Sequence, residues 1–441
     1  MSTTSICAQL AVALAWIGLT ATGLAAQAGT TVGSLPADHL TPRERADFFL
    51  GKALFERPWA NGLASSSSSD GLGPLFNARA CANCHGDGGR SDAIVHADGQ
   101  ASHVVLAVVA DAGTHPVLGK QLQERASPGL QAEGQRHIRT VSSVFAYPDG
   151  ETVELLRPEV AVTLSEAAAQ AGADAVEFAP RVSPQVWAVS AIGAVPQEQI
   201  LAWADPDDAD GNGISGRVRW GFSLHAQQRL LGRFGWKATA PTLEDQVANA
   251  FATDMGLSNR LIVADQGDCT AAQQDCFKAA AYADDPREEY EVRDEVFALV
   301  VAYNRGLATP AFSGSEELRV EGLALFEELS CQACHRHSYD ADIQAAAPPF
   351  TDLLLHDMGP GLADSRRQGS VAASEWRTAP LLGLGQIQRS NPRAGYLHDG
   401  RALTIEQAIL WHDGVARSSS DAFVRASRED RASLLAFLSN L

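Results

Sequence analysis

The chain has 441 residues, 45% of them hydrophobic and 20% charged, with a formal net charge of −19. That length holds two or three domains with filled cores, and the composition argues against disorder. The acidic balance argues against nucleic acid or anionic lipid as partners and favours a basic protein drawn in by long-range attraction.

The N-terminus runs apolar from Ile6 to Ala26 and offers a small-residue cleavage signal at Ala26-Gln27-Ala28, so residues 1–28 read as a secretory signal peptide and the expected compartment is the periplasm. No Lys or Arg precedes Arg43, which departs from the usual basic start and leaves an uncleaved membrane anchor as the alternative. Cys7 falls within the signal. A helix is expected from Thr41 to Pro58, with Thr41 as N-cap and Pro42 at its first position. A Ser65–Ser69 loop follows.

The next stretch, Cys81-Ala-Asn-Cys84-His85, returns as Cys331-Gln-Ala-Cys334-His335. Two cysteines two residues apart with an immediate histidine are the attachment signature of c-type haem: both thiols add to porphyrin vinyl groups and the imidazole takes the iron. The approach repeats as well, since Gly51-Lys-Ala-Leu-Phe-Glu56 reads like Gly322-Leu-Ala-Leu-Phe-Glu327, which points to two related modules. A zinc site or a dithiol redox pair is the rival reading. Zinc wants four clustered ligands and a dithiol a βαβ context, and neither accompanies these pairs.

Beyond the first motif, His103–Val109 and Val141–Tyr147 are β-branched runs, and Pro148-Asp-Gly150 turns back toward Thr152–Leu156, which predicts a β-containing insertion over about 100–230 that decorates the first module. Within Asp205–Gly216, Asp208, Asp210 and Asn212 match the first half of a calcium loop, but Arg219 stands where its closing Glu belongs. A capped acidic turn is the alternative to calcium. Cys269 and Cys276 are the remaining cysteines and are expected to form a small-loop disulfide, free thiols or a metal being the alternatives. Thr242 with Asp245 at N3 predicts a helix running to Asp254. Ser315–Leu329 reads as the lead-in helix of the second motif, with Leu318, Gly322, Leu325, Phe326 and Leu329 on one face. Pro348–Pro360 reads mostly as loop, Thr404 caps a helix to Trp411, and Ser427–Leu438 closes the core.

These motifs, together with Gly71–Cys81, Gly232–Ala238, Asp254-Met-Gly256, Leu355–Gly359, Trp376–Pro380 and Tyr396–Arg401, resemble the bacterial di-haem cytochrome c peroxidase superfamily, most closely its di-haem oxidoreductase branch. The resemblance implies a mainly α fold of two c-type cytochrome domains, 29–305 with the β-containing insertion and 306–441. It also implies a division of labour. The N-terminal haem, on His85, meets hydrogen peroxide or an unknown oxidisable substrate, and the C-terminal haem, on His335, stores electrons from a small or basic redox protein. Trp236 matches the tryptophan between the haems, with core packing as its plain alternative. Gln246 and Asp254 fall near the family's pocket-lining Gln and Glu. Asp for Glu is a departure, and a polar helix end is the alternative reading of Asp254. Counting onward from His398-Asp-Gly400 makes His412 the expected second ligand of the C-terminal haem, with Met358, His356, His398 or none as alternatives. His398 with Arg401 would hold propionates. The distal side of the His85 haem is expected open, with His96, His103, His115 and His137 exposed or structural. A di-haem electron carrier, a haem enzyme acting on a partner protein or an organic molecule, and a thiol oxidoreductase are the rivals.

Overall fold

The computed structural model describes residues 34–61, 69–96, 104–109, 114–173, 176–280, 290–339, 348–365 and 367–441; the signal segment with Cys7, most of the serine loop, His103 and the His96 side chain lie outside them. Two helix crossings organise the molecule. Helix α1, Pro42–Glu56, starts in a capping box in which Thr41 and Glu44 satisfy each other's backbone N–H. Leu243–Asp254 (α2) opens on the same device from Thr242 and Asp245. Asp294–Arg305 (α3) crosses α1, and Gly51 makes that approach close enough that a Cβ there would meet the carbonyl oxygen of Leu299.

The second crossing repeats the first. Glu316–Glu328 (α4) is capped by Ser315, Ile405–Leu410 (α5) by Thr404, and Arg428–Leu438 (α6) by Ser427. Helix α6 crosses α4 at Gly322, where an added Cβ would run into Phe437. Four residues past each glycine comes the phenylalanine that fills the crossing: Phe55 lies 4.9 Å from Tyr303, and Phe326 lies 6.1 Å from Phe437. The sequence repeat is thus a packing repeat, a small residue admitting the partner helix and an aromatic sealing the contact.

With 33% of its residues in helix and 20% in strand, the chain is mixed rather than mainly α. The β-branched insertion pairs more than its length suggested. Val105–Val109 (β1) lies antiparallel to Glu177–Arg181, and Gly134–Ala146 (β2) forms a long hairpin with Thr152–Leu164 (β3). Farther on, Leu355–Asp357 pairs with Glu375–Arg377 inside a stretch that reads as loop. All sheets among the described residues have two strands. The hairpin does more than decorate the N-terminal motif. Tyr147 at its tip donates to Glu406 at 2.8 Å, and Arg431 of α6 reaches Asp149 at 2.6 Å and Glu151 at 2.8 Å. The insertion is therefore braced against the C-terminal helices, and Thr31–Leu441 forms one compact unit. Cys269 and Cys276 are bridged. Among the described residues no helix is long and apolar enough to cross a membrane.

Candidate functional site

Each motif folds into the same short turn. Cys81–Asn83 and Cys331–Ala333 are single 3₁₀ turns, closed by the histidine N–H on the first cysteine's carbonyl at 3.0 Å in both. Neither pair is a disulfide. Burial, reinforced by the charge of Asp254, pushes the Cys81 thiol up to about 12 and raises Cys84, and burial with Cys334 nearby raises Cys331 to about 12. Such thiols are poor nucleophiles, which argues against the dithiol reading. Zinc fares no better. Among the described residues Cys334 gathers only with Asp352 and His356, and those two are engaged with each other.

Each turn opens on a deep cleft. The C-terminal cleft has a cavity volume of about 190 Å³ and is lined by Cys331, Cys334, His335, His412, Met358 and His398 among others. His335 gives its Nδ1 to Phe350 O at 3.1 Å, and His412 gives Nδ1 to Ala408 O at 2.7 Å. Phe350 adopts φ 54°, a strained conformation for a bulky residue that is tolerated where it serves a site. Donation to a carbonyl puts the proton on Nδ1 and leaves Nε2 of each ring as an unprotonated base. The ring centroids lie 6.5 Å apart. That leaves room for one metal ion at roughly 2 Å from a nitrogen of each ring. Burial pushes His335 down to about 4 and lowers His412, so both rings are neutral at pH 7.

The other histidines here are committed elsewhere. His356 bonds Ser215 O at 2.7 Å through Nδ1 and Asp352 Oδ2 at 2.8 Å through Nε2. Burial opposes its charge, but Asp352 outweighs burial and holds the imidazolium. No lone pair is left for a metal. His398 stacks on Trp376 at 3.6 Å and is held neutral by burial and by the cations Arg181, Arg401 and Lys237. Arg401 spends its donors on Asp399 and on Gly361 O at 2.7 Å and does not line the cleft.

The N-terminal cleft has a cavity volume of about 120 Å³ and is lined by Cys81, His85, Gln246, Gln185 and a largely apolar wall from Val189, Phe234 and Phe251. Burial pushes His85 down to about 4. Among the described residues it is the sole histidine on this cleft, and no methionine joins it. His115 accepts from Val117 and Leu118 N–H, and His137 pairs with Thr163 on the surface. Asp254 is not where the motif order suggests. It does not line the cleft; its backbone carbonyl takes the N–H groups of Asn77 and Ala78, and its Oδ1 accepts from Gln121 at 2.8 Å. Helix α2 points Gln246 into the cleft, and Asp254, eight residues on at the helix end, lies by the cysteine thiols instead.

Trp236 lines both clefts and is pinned by Nε1 donation to Val182 O at 2.8 Å. Arg90, Gln185, Arg377 and Pro380 share that wall. The acidic loop behaves as a capped turn. Asp205, Asp208 and Asp210 come within 4.8 Å of one another, yet Asp205 accepts from Ala209 and Asp210 N–H, Asp208 from Gly213 N–H, and Asn212 turns to Asp210. Sequence reasoning passed over Arg90, Gln185 and Arg377. Only Arg377 carried a signal, as part of the Trp376–Pro380 run.

Two clefts, each lined by a Cys-x-x-Cys-His turn and sharing a wall that includes Trp236, give the chain two like centres. The chain belongs to the family described as "di-haem oxidoreductase, putative peroxidase", which matches residues 13–113 and 117–441. Haem cofactors follow from that membership. No curated protein matches the chain. A solved structure of hydrazine synthase from Kuenenia stuttgartiensis, pressurised with xenon, is similar at 15% identity with a TM-score of 0.26, covering 56% of this chain and 88% of that one; a score so low carries no argument about fold or function.

Proposed function

We propose that the chain is a periplasmic di-haem c-type oxidoreductase of peroxidase type, in which Cys81, Cys84, Cys331 and Cys334 hold two haems covalently in two cytochrome modules. A haem supplies one-electron iron chemistry at each centre. One observation carries the division of labour: the C-terminal cleft presents two neutral imidazoles 6.5 Å apart, and the N-terminal cleft presents one. His335 and His412 would saturate their centre and make it an electron store. His85 alone leaves the opposite side of its centre to a substrate, with Gln246 as a polar group on that cleft. Trp236 stands between and carries the electron across. The donor is a small or basic redox protein attracted by the net charge of −19.

Hydrogen peroxide is the expected substrate. A second reading, oxidation of an organic molecule or a partner protein, draws support from the N-terminal cleft itself, whose lining among the described residues is largely apolar and holds no carboxylate. Heterolysis of peroxide usually enlists such an acid or base. The test is to mature the full chain with its attachment machinery, stain a denaturing gel for covalent haem, and mix the reduced protein with peroxide. Two haems per chain and haem oxidation faster than free haem support the peroxidase. Two haems inert to both peroxide and carbon monoxide would reduce it to an electron carrier.

A further inference from the structure

The wall between the clefts holds two charges that an electron relay does not require. Arg90 and Arg377 each line both clefts and are each 4% exposed. Arg90 gives Nε to Gln185 Oε1 at 3.0 Å and Nη1 to Gly395 O at 2.8 Å, with its guanidinium 5.0 Å over the Trp236 ring. Arg377 gives Nε to Gly235 O at 2.9 Å and Nη1 to Thr378 O at 2.8 Å. Every one of these acceptors is neutral, and among the described residues Nη2 of both has no protein acceptor.

The contrast with the other sheltered arginines is what matters. Arg181 pairs with Asp364 at 2.6 Å, Arg401 with Asp399 at 2.7 Å, and Arg431 with Asp149 at 2.6 Å. Among the described residues no carboxylate forms an ion pair with Arg90 or Arg377. Burial lowers both to about 10, which still leaves them charged at neutral pH. Asp352 acts on Arg377 only from beyond ion-pair range and is already bonded to His356, so two neighbouring buried cations without a carboxylate in contact are unfavourable unless anions join them. A guanidinium fork matches a carboxylate bidentately.

We propose that Arg90 and Arg377 form an anion clamp between the clefts whose ligands are haem propionate carboxylates, so that one pair of side chains anchors and tunes both centres. This rests on the di-haem reading above. It also moves the propionate contact away from Arg401, whose charge Asp399 already neutralises. Cationic charge beside an iron centre favours its less positive, reduced state, and Arg90 does the same for neutral over oxidised Trp236.

The test uses the full matured chain carrying Arg90→Gln, Arg377→Gln or the corresponding Lys substitutions, with haem counted by covalent stain and midpoints read by spectroelectrochemical titration. With two haems attached, each Gln variant is expected to lower the reduced-to-oxidised ratio of both centres about tenfold at fixed potential, or 59 mV for one electron, and the Lys variants less. Midpoints unchanged within about a factor of two in both Gln variants would overturn the clamp and leave the di-haem protein standing. Absence of covalent haem in the unsubstituted chain would overturn both. Should the Gln variants not accumulate, infrared spectra of the unsubstituted protein carrying isotope-labelled propionates decide: carboxylates ionised down to about pH 5 support the clamp, and protonation near neutral pH, above their ordinary range, overturns it.

Discussion

Asp254 shows how a single residue changes meaning once its surroundings are known. Burial raises its carboxyl to about 6, while the hydrogen bond from Gln121 works the other way. A folded acid that keeps its proton to higher pH than the unfolded chain favours folding fully below the unfolded value of roughly 3.9, and this advantage is lost as pH rises through about 6. Asp254→Asn should therefore gain stability over the parent between those values and hold it above them, and lose the gain in acid; denaturant melts at pH 3 and pH 7 read this directly. Because Asp254 lies off the cleft, the same substitution should slow peroxide-driven haem oxidation by less than about tenfold, whereas loss of a working acid–base group costs 10²- to 10⁴-fold. Stopped-flow rates separate the two.

At the scale of elements, the paired helix crossings do the positioning. Helices α1 and α4 bring Phe55 and Phe326 to their clefts because Gly51 and Gly322 let α3 and α6 approach. Gly322→Ala adds a methyl where Phe437 already sits, and overpacking of this kind costs roughly 1–3 kcal/mol, more than the helix-propensity gain of about 1 kcal/mol. A lower denaturant midpoint with unchanged haem content is the expected result. An unchanged or raised midpoint would mean that the crossing is looser than the geometry indicates. The capping boxes were legible because they depend on residues three apart; the short Leu355–Asp357 and Glu375–Arg377 pairing was not, because its partners lie about twenty residues apart and neither strand alternates.

For the molecule as a whole, the difference between the two clefts is the functional statement. Imidazole pairs stabilise the oxidised iron relative to His/Met ligation, so His412→Met should raise the midpoint of the C-terminal haem and leave the other near its original value, as followed by redox titration. A shift confined to the His85 haem would contradict the ligand assignment. The hairpin tip and Trp236 tie the halves together, the first through Arg431 and the second through its carbonyl, which accepts from Arg377 N–H at 3.0 Å, so the two clefts sit in one packed unit rather than in beads on a string.

The sequence by itself determined the two Cys-x-x-Cys-His turns, the helix repeat that leads into them, the caps and the disulfide, since each is written in local spacing or in a pattern that recurs along the chain, and the family resemblance singled out His412, which lines the cleft. It could not say that Asp254 is held by Gln121 beside the cysteine thiols, that His356 is locked to Asp352, or that Arg90 and Arg377 meet on one wall 287 residues apart in numbering. Those facts depend on which face of a helix is turned inward and on which distant segments close over the same space, and burial and charge acquire their chemical consequences only after that closure.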